Sequence, residues 1–129
     1  MMHFAVVVLA LATGCLATRR FEIYGGWTWV DPNSNPRYLE LAHFAVGQQT
    51  RGLEYYNTVV EVTSASEQVV SGMNYRLTFR VAPSNCRVAD TVYSKERCRP
   101  TPNAEIKECR ATIYDIPWRR IREVTSFTC

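Results

Sequence analysis

The sequence has little of what a catalytic or metal-binding site needs. Its 129 residues include two histidines, His3 and His43, and no Cys-x2-Cys pair; cysteine separations of 12, 11 and 20 from Cys86 onward leave zinc without a ligand set. GxGxxG, P-loop, HExxH and GxSxG motifs are absent, which removes the common signatures of nucleotide, metalloprotease and serine-hydrolase chemistry. The carboxylates Glu105 and Glu108 sit in a polar stretch and read as a solvated face. No Asn-x-Ser/Thr acceptor occurs, so N-glycosylation is not expected. The charge is nearly balanced. Fifteen Lys and Arg against twelve Asp and Glu give +3, too little and too interleaved for a nucleic-acid or membrane-surface partner. The chain length suits one domain, and no enzyme activity, cofactor or metal is expected of it.

Long apolar runs are also missing. Phe4 to Ala12 (FAVVVLALA) spans about nine residues, far short of the roughly 20 that cross a bilayer. That is the length of a signal-peptide core. Cys15-Leu16-Ala17 then places small residues at minus three and minus one of a cleavage site. The reading is a signal peptide over 1–17 and a secreted, extracellular domain over 18–129; a buried N-terminal strand is the alternative. Cleavage also settles the cysteine count, because five cannot all pair within one chain. Without Cys15, the remaining Cys86, Cys98, Cys109 and Cys129 form two disulfides in an oxidising compartment. The midpoint of Cys109 and Cys129 is residue 119, inside a proline-marked break between two strand-like runs. Opposed ends of an antiparallel hairpin meet at disulfide distance, so Cys109 pairs with Cys129 and, by elimination, Cys86 with Cys98. Loops this short make each bond worth about 3 kcal/mol.

The pattern predicts an α+β domain. Trp27 to Val30 is a short strand candidate, and Asn35-Pro36 reads as the cap and first residue of a helix. Tyr38, Leu41, Ala42, Ala45, Val46 and Gln49 recur at helical spacing; the helix should run from about Pro36 to about Arg51, stopped by Gly52. Gly47 within it suggests close approach of another backbone. Period-two alternation then takes over, ragged in Thr58 to Val62 and clean in Met73 to Val81, as in an antiparallel sheet with one covered face. Residues 83–105 are polar, contain three prolines and read as an excursion outside the core. Ile106 to Ile116 and Arg120 to Thr128 complete a sheet of a short N-terminal strand plus four antiparallel strands, wrapped on one helix.

Three segments fall at chain breaks: Ile23-Tyr24 before Gly25-Gly26, the turn Gln68-Val69-Val70-Ser71-Gly72, and Pro117-Trp118. Singly, each has a plainer reading as tail, turn glycine and core aromatic. In a meander, however, alternate loops share one end of the sheet, so the three can converge.

With Pro36 to Val46 (PRYLELAHFAV) and Asn74-Tyr75-Arg76-Leu77, these segments and the order of the four cysteines resemble the secreted type 2 cystatins, inhibitors of papain-like cysteine proteases, and among them the tick salivary members. The resemblance covers Gly25 through Cys129. It implies a wedge that fills the protease cleft: Gly25 as hinge with Gly26 after it, Tyr24 and Ile23 in the S2 and S3 subsites, Gln68 to Gly72 as the first hairpin, and Pro117-Trp118 as the second. It implies cathepsins, of a host, as partners. A bulky Tyr24 favours a roomy S2 pocket of the cathepsin L/S type. Legumain inhibition is not predicted, because Gln48 to Tyr55 contains no asparagine. A non-inhibitory cystatin-fold module acting on a host or immune partner is the alternative function. An antimicrobial or heparin-binding peptide carrier drawing on Arg119, Arg120 and Arg122 is a weaker third, since such arginines more often form a solvated face or a rim that steers encounter. A monomer is expected, with domain swapping through the β-branched Val69-Val70 as the other state.

Overall fold

The computed structural model describes residues 26–129. The signal-peptide reading of 1–17, and Ile23, Tyr24 and Gly25, lie outside the described residues. The elements run β1 (Thr28–Val30), α1 (Pro36–Gly47), β2 (Tyr55–Val70), β3 (Gly72–Arg87), β4 (Lys107–Ile116), a 3-10 turn (Pro117–Arg119) and β5 (Ile121–Thr128). All strands pair antiparallel in the order β1-β2-β3-β4-β5, as the alternation implies.

Local chemistry sets the helix start. Asn35 is extended at φ −150, and its side chain accepts the Arg37 backbone N–H while Pro36 fills the first turn, where its missing donor costs nothing. Tyr38, Leu41, Ala42, Ala45 and Val46 form the buried stripe. The helix ends at Gly47, earlier than its sequence pattern suggests. Gln49 and Gly52 follow on the stripe and offer no apolar surface to bury, so nothing sustains another turn. Gly52, at φ +74, serves a separate turn, closed by the Leu53 N–H on the Thr50 carbonyl.

Two long strands curl around this helix. The β2–β3 ladder carries register shifts at Tyr55/Asn57, Val59/Glu61 and Val62/Ser64; such bulges bend a strand and break its alternation, which explains the ragged pattern in β2. In β3, Tyr75, Leu77, Phe79 and Val81 all turn into the core, and Arg76 and Arg80 face solvent. Ala42, Ala45, Ala65 and Ala111 are all buried, and their small side chains let the helix lie close on the sheet. A further shift at Thr112/Ile113 leaves Thr125 unpaired. Val124 and Phe127 consequently both reach the core although they are three residues apart.

Both disulfides form as expected, Cys86–Cys98 and Cys109–Cys129. The pairing of Arg110 with Thr128 puts the second pair opposite each other on β4 and β5. The excursion after β3 differs from its reading. Its Tyr93 packs edge-on to Tyr56 at 5.5 Å between centroids and joins a small cluster with Cys86 and Cys98. The Tyr93 hydroxyl bonds His43 Nδ1 at 2.6 Å and Thr58 Oγ1 at 3.0 Å. This ring also explains Gly47, where a β-carbon would lie 2.9 Å from Tyr93 Cδ2. The close approach at Gly47 is therefore made by a side chain, not a backbone.

Burial disfavours the His43 cation, Lys95 adds to the effect and Glu96 opposes it, so the His43 pKa falls below the usual 6.5. Tyr93, raised mainly by burial, stays protonated across this range. The unfolded chain then binds the His43 proton more tightly than the folded one, and stability present above about pH 6.5 is lost as pH falls below it. Denaturant midpoints should drop more for the parent protein than for His43→Gln between about pH 7.5 and pH 5; parallel drops would refute the linkage.

Candidate functional site

The described parts of all three predicted segments lie at one end of the sheet. In the β2–β3 hairpin, Val70 pairs directly with Gly72, so the tip is a single residue, Ser71. Only a glycine accommodates the next position. Gly72 is buried, has φ +101, and a β-carbon there would lie 2.8 Å from both the Asp115 carbonyl oxygen and Ile116 Cγ1. The first turn is thus pressed against the residues that lead into the second.

Beside this contact the apolar side chains turn outward. Val69 is 73% exposed and Val70 is 39% exposed, and neither contributes to the core. Gln68 instead looks inward along the hairpin, its Oε1 accepting from Asn74 Nδ2 at 3.0 Å. Pro117 opens the 3-10 turn with its fixed φ, and Arg120, in the left-handed region at φ 55, closes it through its N–H on the Pro117 carbonyl at 3.1 Å. Trp118 stands out from this turn, 72% exposed. Read alone it suggested a core aromatic; the short turn instead holds the indole away from the sheet.

The register of β1, with Thr28 opposite Glu67, directs the chain before it toward the first hairpin. Trp27 lies under the Arg76 guanidinium at 4.1 Å, a cation–π contact that fixes the segment's exit. Gly26, just outside, is exposed. Behind the hairpin stem, the Tyr38 hydroxyl donates to Glu67 Oε1. Burial, reinforced by that bond, pushes the Tyr38 pKa up to about 12, so the donor persists at any physiological pH. Below the second turn, buried Asp115 pairs with Arg122 at 3.0 Å, and the Arg122 guanidinium lies 5.7 Å from the Phe44 ring centre. No group of three metal-ligating side chains occurs among the described residues.

The arrangement is two rigid turns with outward apolar side chains and an adjacent N-terminal strand. A cystatin domain profile matches residues 25–118, from the glycine pair to the exposed tryptophan. The chain belongs to the cystatin family of cysteine protease inhibitors. It is 58% identical to Cystatin-1 of Ornithodoros moubata over 129 residues, covering 100% of this chain and 99% of that protein. The crystal structure of a salivary cystatin from the same soft tick superposes with a TM-score of 0.77 at 48% identity, over 81% of this chain and 96% of that one. Mialostatin, a gut cystatin of the hard tick Ixodes ricinus, gives 0.75 at 42% identity, over 81% and 96% respectively. The five-stranded antiparallel sheet with one helix is therefore the cystatin fold in both topology and overlay.

Sequence reasoning missed two contributors to this end of the cystatin. Arg76 read as an ordinary exposed position, although it stacks on Trp27. Tyr114 read as part of a strand, yet its hydroxyl donates to the Ser71 carbonyl across 43 residues of sequence. A large aromatic on the polar side of an alternating strand was the available signal.

Gly72→Ala combines a strained positive φ with two clashes, one against the Asp115 backbone carbonyl and one against the Ile116 side chain. It should destabilise the fold by about 1–3 kcal/mol. Denaturant titration measures this; a loss within about 0.5 kcal/mol, the usual surface range, would contradict the packing account.

Proposed function

We propose that this cystatin is a secreted, reversible, tight-binding inhibitor that closes the active-site cleft of papain-like cysteine proteases. Residues 1–17 act as a signal peptide and 18–129 as the inhibitory domain, in keeping with relatives named for saliva and gut. The wedge comprises Ile23, Tyr24, Gly25 and Gly26, the hairpin Gln68 to Gly72, and Pro117-Trp118. One observation carries the reading: Val69 and Trp118 stay almost three-quarters exposed on turns that Gly72 and Ile116 lock together. Apolar side chains held so rigidly in water have no role within the fold.

The energetics favour such a plug. Burying an indole of about 150–250 Å² yields roughly 4–6 kcal/mol before association costs, at about 25 cal/mol per Å². Because the turns are already ordered, little conformational entropy is lost on docking. Arg119 and Arg120, exposed beside Trp118, lie at the rim and steer encounter with acidic protease surfaces. Tyr24 in the S2 subsite selects proteases with a roomy pocket, of the cathepsin L/S type, and host cathepsins are the natural targets. The protein acts as a monomer.

The recombinant mature chain should inhibit papain reversibly at stoichiometric ratios. Trp118→Ala should raise the inhibition constant by about 30-fold or more, the cost of losing an interface anchor, with the thermal midpoint unchanged. An inhibition constant that stays the same rules out the wedge. Tyr24→Val should shift the ratio of inhibition constants for cathepsin L and cathepsin K toward cathepsin K; a constant ratio would remove Tyr24 as the selector.

A further inference from the structure

The two turns of the wedge are joined at two points, and the two joints differ in kind. One is steric: Gly72 packs so closely on the Asp115 carbonyl and Ile116 that a β-carbon would not fit. The other is a single hydrogen bond. Tyr114 lies opposite Asn74 on β3, and its hydroxyl crosses that strand to donate to the Ser71 carbonyl at 2.5 Å.

Ser71 is the one residue between paired Val70 and Gly72. At that place the ladder holds the flanking residues but not the tip, and the tip is exposed. Trp118 lies four positions beyond Tyr114, after Asp115, Ile116 and Pro117, so one short stretch of chain carries both the hydrogen-bonding hydroxyl and the second turn's indole.

We propose that Tyr114 is a positioning residue for protease inhibition, whose hydroxyl fixes the first turn against the second so that Val69, Val70 and Trp118 enter a cleft as one rigid surface. The proposal rests on the wedge reading. Tyr114 need not touch the protease. Without its hydroxyl the Ser71 tip is free to lift, and docking must then restrain it.

The substitution Tyr114→Phe keeps the ring and removes only the donor. In the mature chain it should raise the inhibition constant for papain by about 3- to 10-fold, the equivalent of one net hydrogen bond, while the thermal midpoint stays within about 2 °C. A double-mutant cycle separates positioning from mere structure. In the Trp118→Ala background there is no second anchor to align, so the cost of Tyr114→Phe should shrink to less than about 2-fold. An unchanged constant in the parent background, or an equal factor in both backgrounds, overturns the proposal. If Trp118→Ala alone leaves inhibition intact, the wedge reading falls, and this proposal with it.

Discussion

There is no room for a β-carbon at Gly72, and the arrangement of the two turns at this end of the sheet depends on that fact. Its position, 2.8 Å by projection from the Asp115 carbonyl and the Ile116 side chain, brings two turns from distant parts of the chain into contact. Behind this contact the stem is fastened by polar bonds that share the same end of the sheet. Tyr38 holds Glu67 from the helix side, Asn74 holds Gln68 within the hairpin, and Arg122 neutralises buried Asp115 under the second turn. A polar group in these positions would be expensive to bury unpaired, and each has its partner. The apolar side chains that would ordinarily be buried are the ones turned outward.

The division of labour between the two kinds of residue follows. Core packing of Leu41, Tyr75, Leu77, Phe79 and Ile113, all buried to within 1%, fixes the sheet around the helix. The sheet then carries short turns whose conformations are set locally, by a positive φ at Gly72 and by Pro117 and Arg120 at the second turn. In the proposed wedge, binding energy resides in the exposed tips. Because the stabilising residues and the proposed binding residues are separate sets, a tip substitution such as Trp118→Ala should leave the fold nearly untouched, whereas a change at Gly72 should affect both.

Much of this was legible in the sequence because the relevant signals are short. Asn35-Pro36 announces a helix start within two residues, the Met73 to Val81 alternation announces a sheet with one covered face, and the glycine and proline at positions 72 and 117 mark turns. What stayed hidden depends on tertiary register. The bulge at Thr125 places Val124 and Phe127 on one face, a spacing that neither helix nor regular strand predicts. Gly52 reads equally well as the stop of a helix and as a turn of its own, and only the lack of buried surface after Val46 decides between them. Tyr93 was obscured by the charged, proline-containing stretch around it. The Tyr114 to Ser71 bond requires knowing that residues 74 and 114 are opposite each other.

The Cys86–Cys98 loop has a different bearing on the molecule's history. It hangs from the far ends of β2 and β3, some fourteen residues along each strand from the wedge. Its own small cluster of Tyr56, Cys86 and Cys98 supports it, and Tyr93 is its main tie to the helix. Substitutions at the exposed Ala89, Asp90 or Val92, which leave Tyr93 in place, can be absorbed locally, without strain reaching Gly72. The exposed Val92 sits in that tolerant region. A cystatin built this way can diversify one pole while the opposite pole keeps the shape of its two joined turns.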